Sequence, residues 1–209
     1  MANKEIKYNP LNNPFIIVKY FEEELANYAG SKYAVCVDSC TNAIFLCCKY
    51  LKVNTVTIPQ KTYLSVPQAI INAGGTVILE DLSWEGQYYL KPYPIIDSAL
   101  RFTSNMYKAE TFVCLSFHYK KHLPIGKGGA ILTDDYDAYC WFKKMRYEGR
   151  NETSYWNDTI NEVGFNMYMT PFEAAIGFSL MQNINLINAD LCEINGYRNL
   201  DEFLLFLNK

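Results

Sequence analysis

Two spacings of apolar residues alternate along the chain. Apolar side chains recur about every 3.6 residues from Val18 to Tyr28, which predicts a helix that begins near Pro14 and ends at Gly30. Strands are predicted at 33–38, 53–59, 76–81, 93–97, 112–117 and 130–132, and further helices at about 42–51, about 66–73 and beyond 134. Strands spaced by helices predict an α/β domain with a mostly parallel sheet and helices on both faces.

The carboxyl-terminal part of the chain is expected to be helical. Thr170-Pro171-Phe172-Glu173 has the pattern of a capping box with proline at the first helical position. Apolar residues recur at helical spacing within 197–207, so we expect a helix there that packs on the domain body. We therefore interpret residues 1–209 as one domain, in which 171–209 is a helical segment packed on the rest.

Composition and charge exclude several classes of protein. The 209 residues are half apolar and carry a formal net charge of −3, without the basic stripe that nucleic-acid binding requires. No signal sequence and no apolar run of about 18 residues is found, so we expect a cytoplasmic protein without a membrane span. The seven cysteines are odd in number and lack a C-x-x-C pair, which favours reduced thiols over disulfides or a metal site.

A loop with two lysines carries the first candidate chemistry. Ser116 ends one predicted strand, Lys120-Lys121 follows, and glycines at 126, 128 and 129 lead into the next strand. Glycines allow positive φ and close backbone approach. A lysine presented in this way can form a Schiff base with pyridoxal phosphate if its surroundings favour the free amine. The alternative is an ordinary basic loop between two strands.

Polar and aromatic side chains follow four of the predicted strands. In an open parallel sheet, ligands bind at the carboxyl ends of the strands, so we expect these side chains to converge. They offer hydroxyls at a helix start, a flat aromatic ring, a carboxylate in apolar surroundings and an amine, which are the contacts that a phosphorylated pyridine aldehyde requires. The residues are Ser39, Cys40, Thr41, Tyr63, Asp97, Ser116 and Lys121.

Collinear motifs over nearly the whole chain resemble the DegT/DnrJ/EryC1/StrS sugar aminotransferases, which have the fold-type-I, aspartate-aminotransferase-like architecture. The resemblance implies a trimmed version of the large domain of these pyridoxal-phosphate-dependent transferases. The matching motifs are Phe21-Glu22-Glu23-Glu24-Leu25-Ala26-Asn27-Tyr28-Ala29-Gly30, Ser39-Cys40-Thr41, Ile58-Pro59-Gln60-Lys61-Thr62-Tyr63, Asp97-Ser98-Ala99, Ser116-Phe117-His118-Tyr119-Lys120-Lys121 with Gly126-Lys127-Gly128-Gly129, and Gly164-Phe165-Asn166 with Ala174-Ala175-Ile176-Gly177.

The resemblance implies a role for each candidate residue that contacts the cofactor ring. Lys121 has the family's spacing from Ser116 and is implied to be the Schiff-base lysine. Asp97 is implied to be the partner of the pyridinium nitrogen, although an aspartate that caps a helix remains an alternative. Tyr63 is implied to stack on the ring, with core packing as the alternative.

The resemblance also implies how the phosphate is bound. Ser39, Cys40, Thr41 and Ser116 are implied to bind it through hydroxyls and a helix amino terminus, and helix capping by Thr41 is compatible with that role. Asn166 is implied to reach the phosphate of a second subunit, which predicts a homodimer. A turn-forming asparagine is the alternative.

The chain also departs from the family pattern. Only about a dozen residues separate Asp81 from Tyr93, where relatives insert a further helix and strand. Ile96, Leu100 and Tyr168 stand where the family carries polar or charged residues, and the sequence lacks the small carboxyl-terminal domain of its relatives. These departures bear more on substrate recognition than on cofactor binding.

Three functions remain open from the sequence. The first is a pyridoxal-phosphate-dependent aminotransferase that acts on a nucleotide-linked keto sugar, with an amino acid such as glutamate as amino donor. The second is a non-catalytic protein of the same fold that binds pyridoxal phosphate or a nucleotide sugar. The third is the family's dehydratase branch, in which histidine replaces the lysine, and Lys121 argues against it.

Overall fold

A computed structural model describes residues 13–152, 155–192 and 196–203 of the protein. Within these ranges the α-helices are α1 (Ile16–Ala29), α2 (Cys40–Leu51), α3 (Ser65–Asn72), α4 (Tyr136–Met145) and α5 (Pro171–Met181). The strands are β1 (Tyr33–Val37), β2 (Thr55–Pro59), β3 (Thr76–Glu80), β4 (Tyr88–Tyr89), β5 (Ile95–Asp97), β6 (Phe112–Ser116) and β7 (Gly129–Thr133). The α/β class is confirmed, and each of these helices and strands except β4 was predicted from the sequence.

The sheet is mixed, whereas the sequence predicted a mostly parallel sheet. Five strands lie in the order β1-β7-β6-β5-β4, and β2 pairs with β3 in a second sheet. Only the pairs β5–β6 and β2–β3 are parallel, whereas β1–β7, β6–β7 and β4–β5 are antiparallel. The chain passes from β6 to its neighbour β7 through a loop without a helix, so β7 returns in the opposite direction.

The short strand β4 joins the two sheets. Lys91, just after β4, exchanges two backbone hydrogen bonds with Thr57 in β2, of 2.8 and 3.0 Å. On its other side β4 pairs with β5, where Tyr88 lies opposite Asp97. The roughly one dozen residues between Asp81 and Tyr93 therefore keep the two sheets connected and place an aromatic side chain beside a predicted site residue.

Alternating side chains of β1 point into two apolar cores on opposite faces of the sheet. Val35 and Val37 belong to the core that α2, α3 and α4 cover. Ala34 and Cys36 belong to the core that α1 and α5 cover. This alternation follows from the two-residue period of a strand, and it confirms the prediction of helices on both faces.

A buried ionic cluster covers the free edge of β1. Glu22 of α1 accepts a hydrogen bond from the Cys36 backbone N–H at 2.8 Å, and Arg146 donates to the Cys36 carbonyl and to Glu22. Lys143 lies 3.0 Å from Glu22 and 2.7 Å from Glu152. Side chains thus satisfy backbone groups that an edge strand otherwise leaves unpaired.

The segment after α5 is mostly irregular. The predicted capping box at Thr170 and Glu173 is present and starts α5, but this helix ends at Met181. A 3-10 turn lies at Leu200–Glu202, with the Leu200 side chain buried in the core. The predicted helix over 197–207 falls partly outside the described residues. No helix in the described ranges is long and apolar enough to cross a membrane.

Candidate active site

Seven of the eight predicted site residues line one cavity of about 930 Å³. The cavity lies at the amino terminus of α2 and beside the carboxyl ends of β5 and β6. It is bounded by α2 and α3 on one side and by residues 196–203 on another. The predicted residues that line it are Ser39, Cys40, Thr41, Tyr63, Asp97, Ser116 and Lys121.

The amino terminus of α2 forms one end of the cavity. Ser39 caps the helix, and its hydroxyl accepts the Asn42 backbone N–H at 3.2 Å. The amides of Cys40 and Thr41 lie in the first turn, where helix N–H groups have no intrahelical acceptor. The Thr41 hydroxyl is 2.7 Å from the Ser65 hydroxyl. Together with the helix dipole, these groups make this end suitable for a phosphate.

Glycine at 129 allows β7 to lie directly against this helix terminus. A Cβ atom at this position would lie 2.5 Å from the Cys40 backbone nitrogen and 2.8 Å from the Leu115 carbonyl oxygen. Contacts below 3.0 Å to backbone atoms cannot be relieved by rotating a side chain. The glycine-rich turn recognised in the sequence therefore serves close packing next to the anion-binding end of the cavity.

Asp97 is a buried carboxylate, and each of its two oxygens accepts a hydrogen bond. Its side chain accepts hydrogen bonds from the Tyr88 hydroxyl at 2.9 Å and from the Ala99 backbone N–H at 3.0 Å. The Cys40 thiol lies 3.9 Å away. Desolvation raises the pKa of Asp97 above its ordinary value, while these hydrogen bonds and the positive charge of Lys121 oppose the rise.

The structure distinguishes the two adjacent lysines of the β6–β7 loop. Lys121 is half-buried and close enough to Asp97 for its charge to lower the pKa of that carboxyl, whereas Lys120 is exposed. The loop turns at this point, with the Lys121 backbone N–H donating to the His118 carbonyl at 2.8 Å. Lys121 is therefore better placed than Lys120 to present an amine opposite the carboxylate.

Aromatic rings line the open side of the cavity. Tyr63, at the start of α3, is 60% exposed, and its ring centroid lies 6.2 Å from that of Tyr197. Tyr197 also stacks on Trp84, with centroids 6.4 Å apart and an interplanar angle of 15°. The exposed face of Tyr63 has the shape to stack on a flat ligand, and the core-packing alternative does not fit its exposure.

Asn166 lies outside the cavity. Its side chain is exposed and donates to Glu148 at 2.7 Å, while its backbone pairs with Tyr147. The structure therefore does not bring Asn166 together with the other seven residues in a single chain.

Several residues on or behind the cavity lining were missed from the sequence. The Tyr88 hydroxyl donates a hydrogen bond to Asp97 and lies 2.6 Å from the Thr62 hydroxyl. The aromatic pair Tyr88-Tyr89 is typical of a strand and was the available signal. Arg198 also lies on the lining and belongs to no recognised motif, whereas Lys127 lies in the Gly126-Lys127-Gly128-Gly129 motif but was not assigned a role.

Comparison with known proteins identifies the family. Residues 11–94 and 104–197 match the DegT/DnrJ/EryC1/StrS aminotransferase family, and the chain belongs to this family. The matched ranges omit 95–103, which includes Asp97. The assignment of Asp97 consequently depends on its position in the cavity and on its hydrogen bonds.

Individual relatives are distant and longer. The spore coat polysaccharide biosynthesis protein SpsC of Bacillus subtilis is 23% identical over 86% of this chain and 60% of its own length. A UDP-4-amino-4,6-dideoxy-N-acetyl-β-L-altrosamine transaminase of Campylobacter jejuni is 23% identical over 80% of this chain and 57% of its own length.

Among solved structures, AtS13 from Actinomadura melliaura has a TM-score of 0.68 and 19% identity, over 80% of this chain and 60% of that chain. This likeness supports the fold assignment. The chain thus spans about 60% of the length of the relatives that it matches.

Proposed function

We propose that the protein is a pyridoxal-phosphate-dependent aminotransferase that acts on a nucleotide-linked keto sugar, with an amino acid such as glutamate as the amino donor. The observation that carries the proposal is the convergence of Lys121, Asp97, Tyr63 and the amino terminus of α2 in one cavity. These groups match the amine, anion, flat ring and phosphate-binding end that the cofactor needs.

The residues present fit the cofactor. Ser39, Cys40, Thr41 and Ser116 would hold its phosphate, and Tyr63 would stack on its ring. Asp97 is buried, so its charge would be strongly stabilised by a protonated ring nitrogen in the same apolar setting. When bound, pyridoxal phosphate supplies an electron-withdrawing ring that stabilises negative charge on the carbon next to the amino nitrogen.

Lys121 would have two roles in this site. Its amine would hold the cofactor covalently until the amino donor takes its place. The freed amine would then move a proton between the carbon of the donor and that of the cofactor, and later between the cofactor and the sugar.

The lining of the cavity supports an anionic substrate. Lys120, Lys127 and Arg198 lie on the lining, together with His118, whereas Asp97 is buried against Tyr88. Lys127 pairs with Asp38 at 3.4 Å and Arg198 with Glu202 at 2.8 Å, so a diphosphate linked to a sugar would bind these cations on the lining in competition with their carboxylate partners. The names of the relatives support this substrate class, since the Campylobacter jejuni protein is a transaminase of a UDP-linked amino sugar.

Borohydride reduction in the presence of pyridoxal phosphate tests the cofactor assignment. Reduction should fix the cofactor on Lys121, and Lys121→Ala should abolish the adduct. Lys120→Ala is the matched control on the same loop and should leave the adduct intact. An adduct mapped to Lys120, or no adduct on the wild-type protein, would contradict the assignment.

A second candidate, a non-catalytic binder of pyridoxal phosphate or a nucleotide sugar, is favoured by a specific observation. Ile96 and Leu100 are fully buried, and the Tyr168 ring packs against Phe15 and Tyr147 at centroid distances of 5.6 and 5.2 Å. Three positions that are polar or charged in the family therefore serve packing here. The visible spectrum separates the two functions, because glutamate should bleach the cofactor band of an aminotransferase and leave that of a binder unchanged.

We also infer a homodimer in which Asn166 serves the site of the other subunit. Asn166 is exposed and outside its own cavity, and Phe172 on the neighbouring α5 is 76% exposed. Co-expression of Lys121→Ala and Asn166→Ala chains tests this arrangement. One site of the mixed dimer would regain both residues, so fixation of the cofactor should recover relative to either variant alone. A monomer that binds the cofactor tightly would overturn the inference.

A further inference from the structure

We propose that the dipeptide Ala189-Asp190, here called the clasp, sets the distance between the β6–β7 loop, which carries Lys121, and the turn that directly follows Asp97. This proposal deepens the function proposed above, because it concerns how that site is positioned. The clasp lies in the irregular segment after α5 and contacts both loops. Arg101 and His122, which bind it, are therefore assigned as positioning residues.

Asp190 of the clasp binds the turn that directly follows Asp97. The Arg101 guanidinium donates two hydrogen bonds to the Asp190 carboxylate, from Nε at 2.8 Å and from Nη2 at 2.5 Å. Such a bidentate pair fixes orientation as well as distance. Arg101 is joined to the Asp97 turn through Ser98, whose hydroxyl donates to the Arg101 carbonyl at 3.0 Å.

The backbone around Asp190 holds the clasp in place and leaves room for the Asp190 carboxylate. The Leu191 backbone N–H donates to the Leu100 carbonyl at 2.9 Å, which aligns the clasp with the turn. Gly86 lies against the carboxylate, and a Cβ atom there would approach an Asp190 carboxylate oxygen to 2.2 Å. The Asp190 side chain is 15% exposed and that of Arg101 is 32% exposed, so the ion pair is partly sheltered from solvent. These contacts leave Asp190 little freedom to move.

The other side of the clasp holds the loop that carries Lys121. Nε2 of His122 is 2.9 Å from the Ala189 carbonyl oxygen, and since a carbonyl only accepts, the imidazole N–H is the donor. His122 is the immediate neighbour of Lys121, so this bond restrains the lysine backbone directly. A lysine on an irregular loop needs such restraint, because a displacement of about 1 Å at a catalytic group can lower the rate about a hundredfold.

Hydrogen–deuterium exchange on the cofactor-free protein tests the clasp without reference to activity. In Asp190→Ala we expect residues 117–126 to exchange about tenfold faster, because the segment that His122 binds is no longer held by the part-buried ion pair with Arg101. His122→Ala should accelerate the same peptide, and His122→Gln, which keeps a donor, should restore slow exchange. The matched control is Glu23→Gln, which breaks the exposed 3.9 Å ion pair with Lys19 on α1 and should change nothing in this peptide.

A second measurement on the cofactor-loaded protein distinguishes positioning from general stabilisation. Arg101→Lys and His122→Gln are mild enough to preserve the fold, and their melting temperatures should stay close to that of the wild type. Arg101→Lys should shift the pH at which the absorbance of the lysine-bound cofactor changes, because the distance between Lys121 and Asp97 changes. His122→Gln should shift it less.

The outcomes separate the clasp from the proposed function. Unchanged exchange of residues 117–126 in both alanine variants would overturn the clasp, even if the wild-type protein binds the cofactor. Faster exchange would support the clasp as a mechanical link even if the wild-type protein failed the borohydride test, which would reject only the cofactor assignment.

Discussion

Replacement of Tyr88 by Phe should destabilise the cofactor-free protein more at neutral pH than in acid. The substitution removes one hydroxyl and keeps the ring. That hydroxyl donates to the buried Asp97 carboxylate at 2.9 Å and lies 2.6 Å from the Thr62 hydroxyl. Tyr88 and Asp97 are 7% and 5% exposed, so water cannot replace the lost donor without opening the site.

The magnitude follows from the charge on Asp97. A hydrogen bond to a charged group contributes about 1.5–3 kcal/mol, against about 1 kcal/mol for a neutral pair. Loss of the phenol therefore costs about 0.5–2 kcal/mol more when Asp97 is ionised than when it is protonated. At 1.36 kcal/mol per unit, the pKa of Asp97 should rise by about one further unit.

The sign of the pH dependence is set by the direction of the shift. Burial raises the pKa of Asp97 in the folded protein above its unfolded value, so the folded state binds the proton more readily. The stability that Asp97 contributes is present below the unfolded pKa and is lost as pH rises through the folded pKa. Tyr88→Phe raises the folded pKa further, which extends the loss of stability to higher pH.

Urea unfolding of wild-type and variant protein at about pH 4, near the ordinary pKa of aspartate, and at about pH 8 measures the effect. Tyr89→Phe is the matched control on the same strand, since Tyr89 is 39% exposed, and it should change stability by less than about 0.5 kcal/mol. If Tyr88→Phe lost the same free energy at both pH values, the hydroxyl would contribute equally to charged and neutral Asp97 and the electrostatic argument would be refuted.

Three further substitutions test the scaffold of the site. Arg146→Met should cost about 3–5 kcal/mol in urea unfolding, because it leaves Lys143 as the only cation beside the buried Glu22 among the described residues and removes the donor to the Cys36 carbonyl, and a loss below about 1 kcal/mol would contradict this. Gly129→Ala should weaken cofactor binding in absorbance titrations and cost about 1–3 kcal/mol, because the new Cβ collides with the backbone at Cys40; unaltered affinity would refute the packing argument. Leu200→Ala should lower stability by about 2–5 kcal/mol, and an unchanged urea midpoint would mean that the tail is not part of the core.

Local signals in the sequence were sufficient to predict most elements. Helix α1 follows from 3.6-residue periodicity and from Gly30, which adopts the left-handed conformation at φ +82°. The capping box at Thr170 predicts the start of α5 because both of its hydrogen bonds are local. Convergence of the site residues was predictable because the carboxyl ends of β5 and β6 meet at one edge of the sheet.

Features that depend on distant partners could not be predicted in the same way. The direction of a strand is set by the neighbour it pairs with, so antiparallel β7 was not distinguishable from a parallel strand by its apolar run. The end of α5 at Met181 was missed because the following residues remain partly apolar, and their hydrogen bonds go to the segment around Thr103 instead of continuing the helix. The contact between Tyr88 and Asp97 likewise requires the pairing of β4 with β5.

The stretch between β3 and β5 supports the end of the cavity where we propose that the cofactor binds. Lys91 joins the sheets, Tyr88 supplies a donor to Asp97, and the Trp84 indole N–H donates to the Lys61 carbonyl at 2.9 Å. The Trp84 ring also stacks on Tyr197 in the cavity wall. This stretch of about a dozen residues thus contacts both sheets, the Asp97 carboxylate and Tyr197 in the cavity wall. Because these contacts converge on the cofactor end, we expect shortening here to alter substrate recognition before it abolishes cofactor binding.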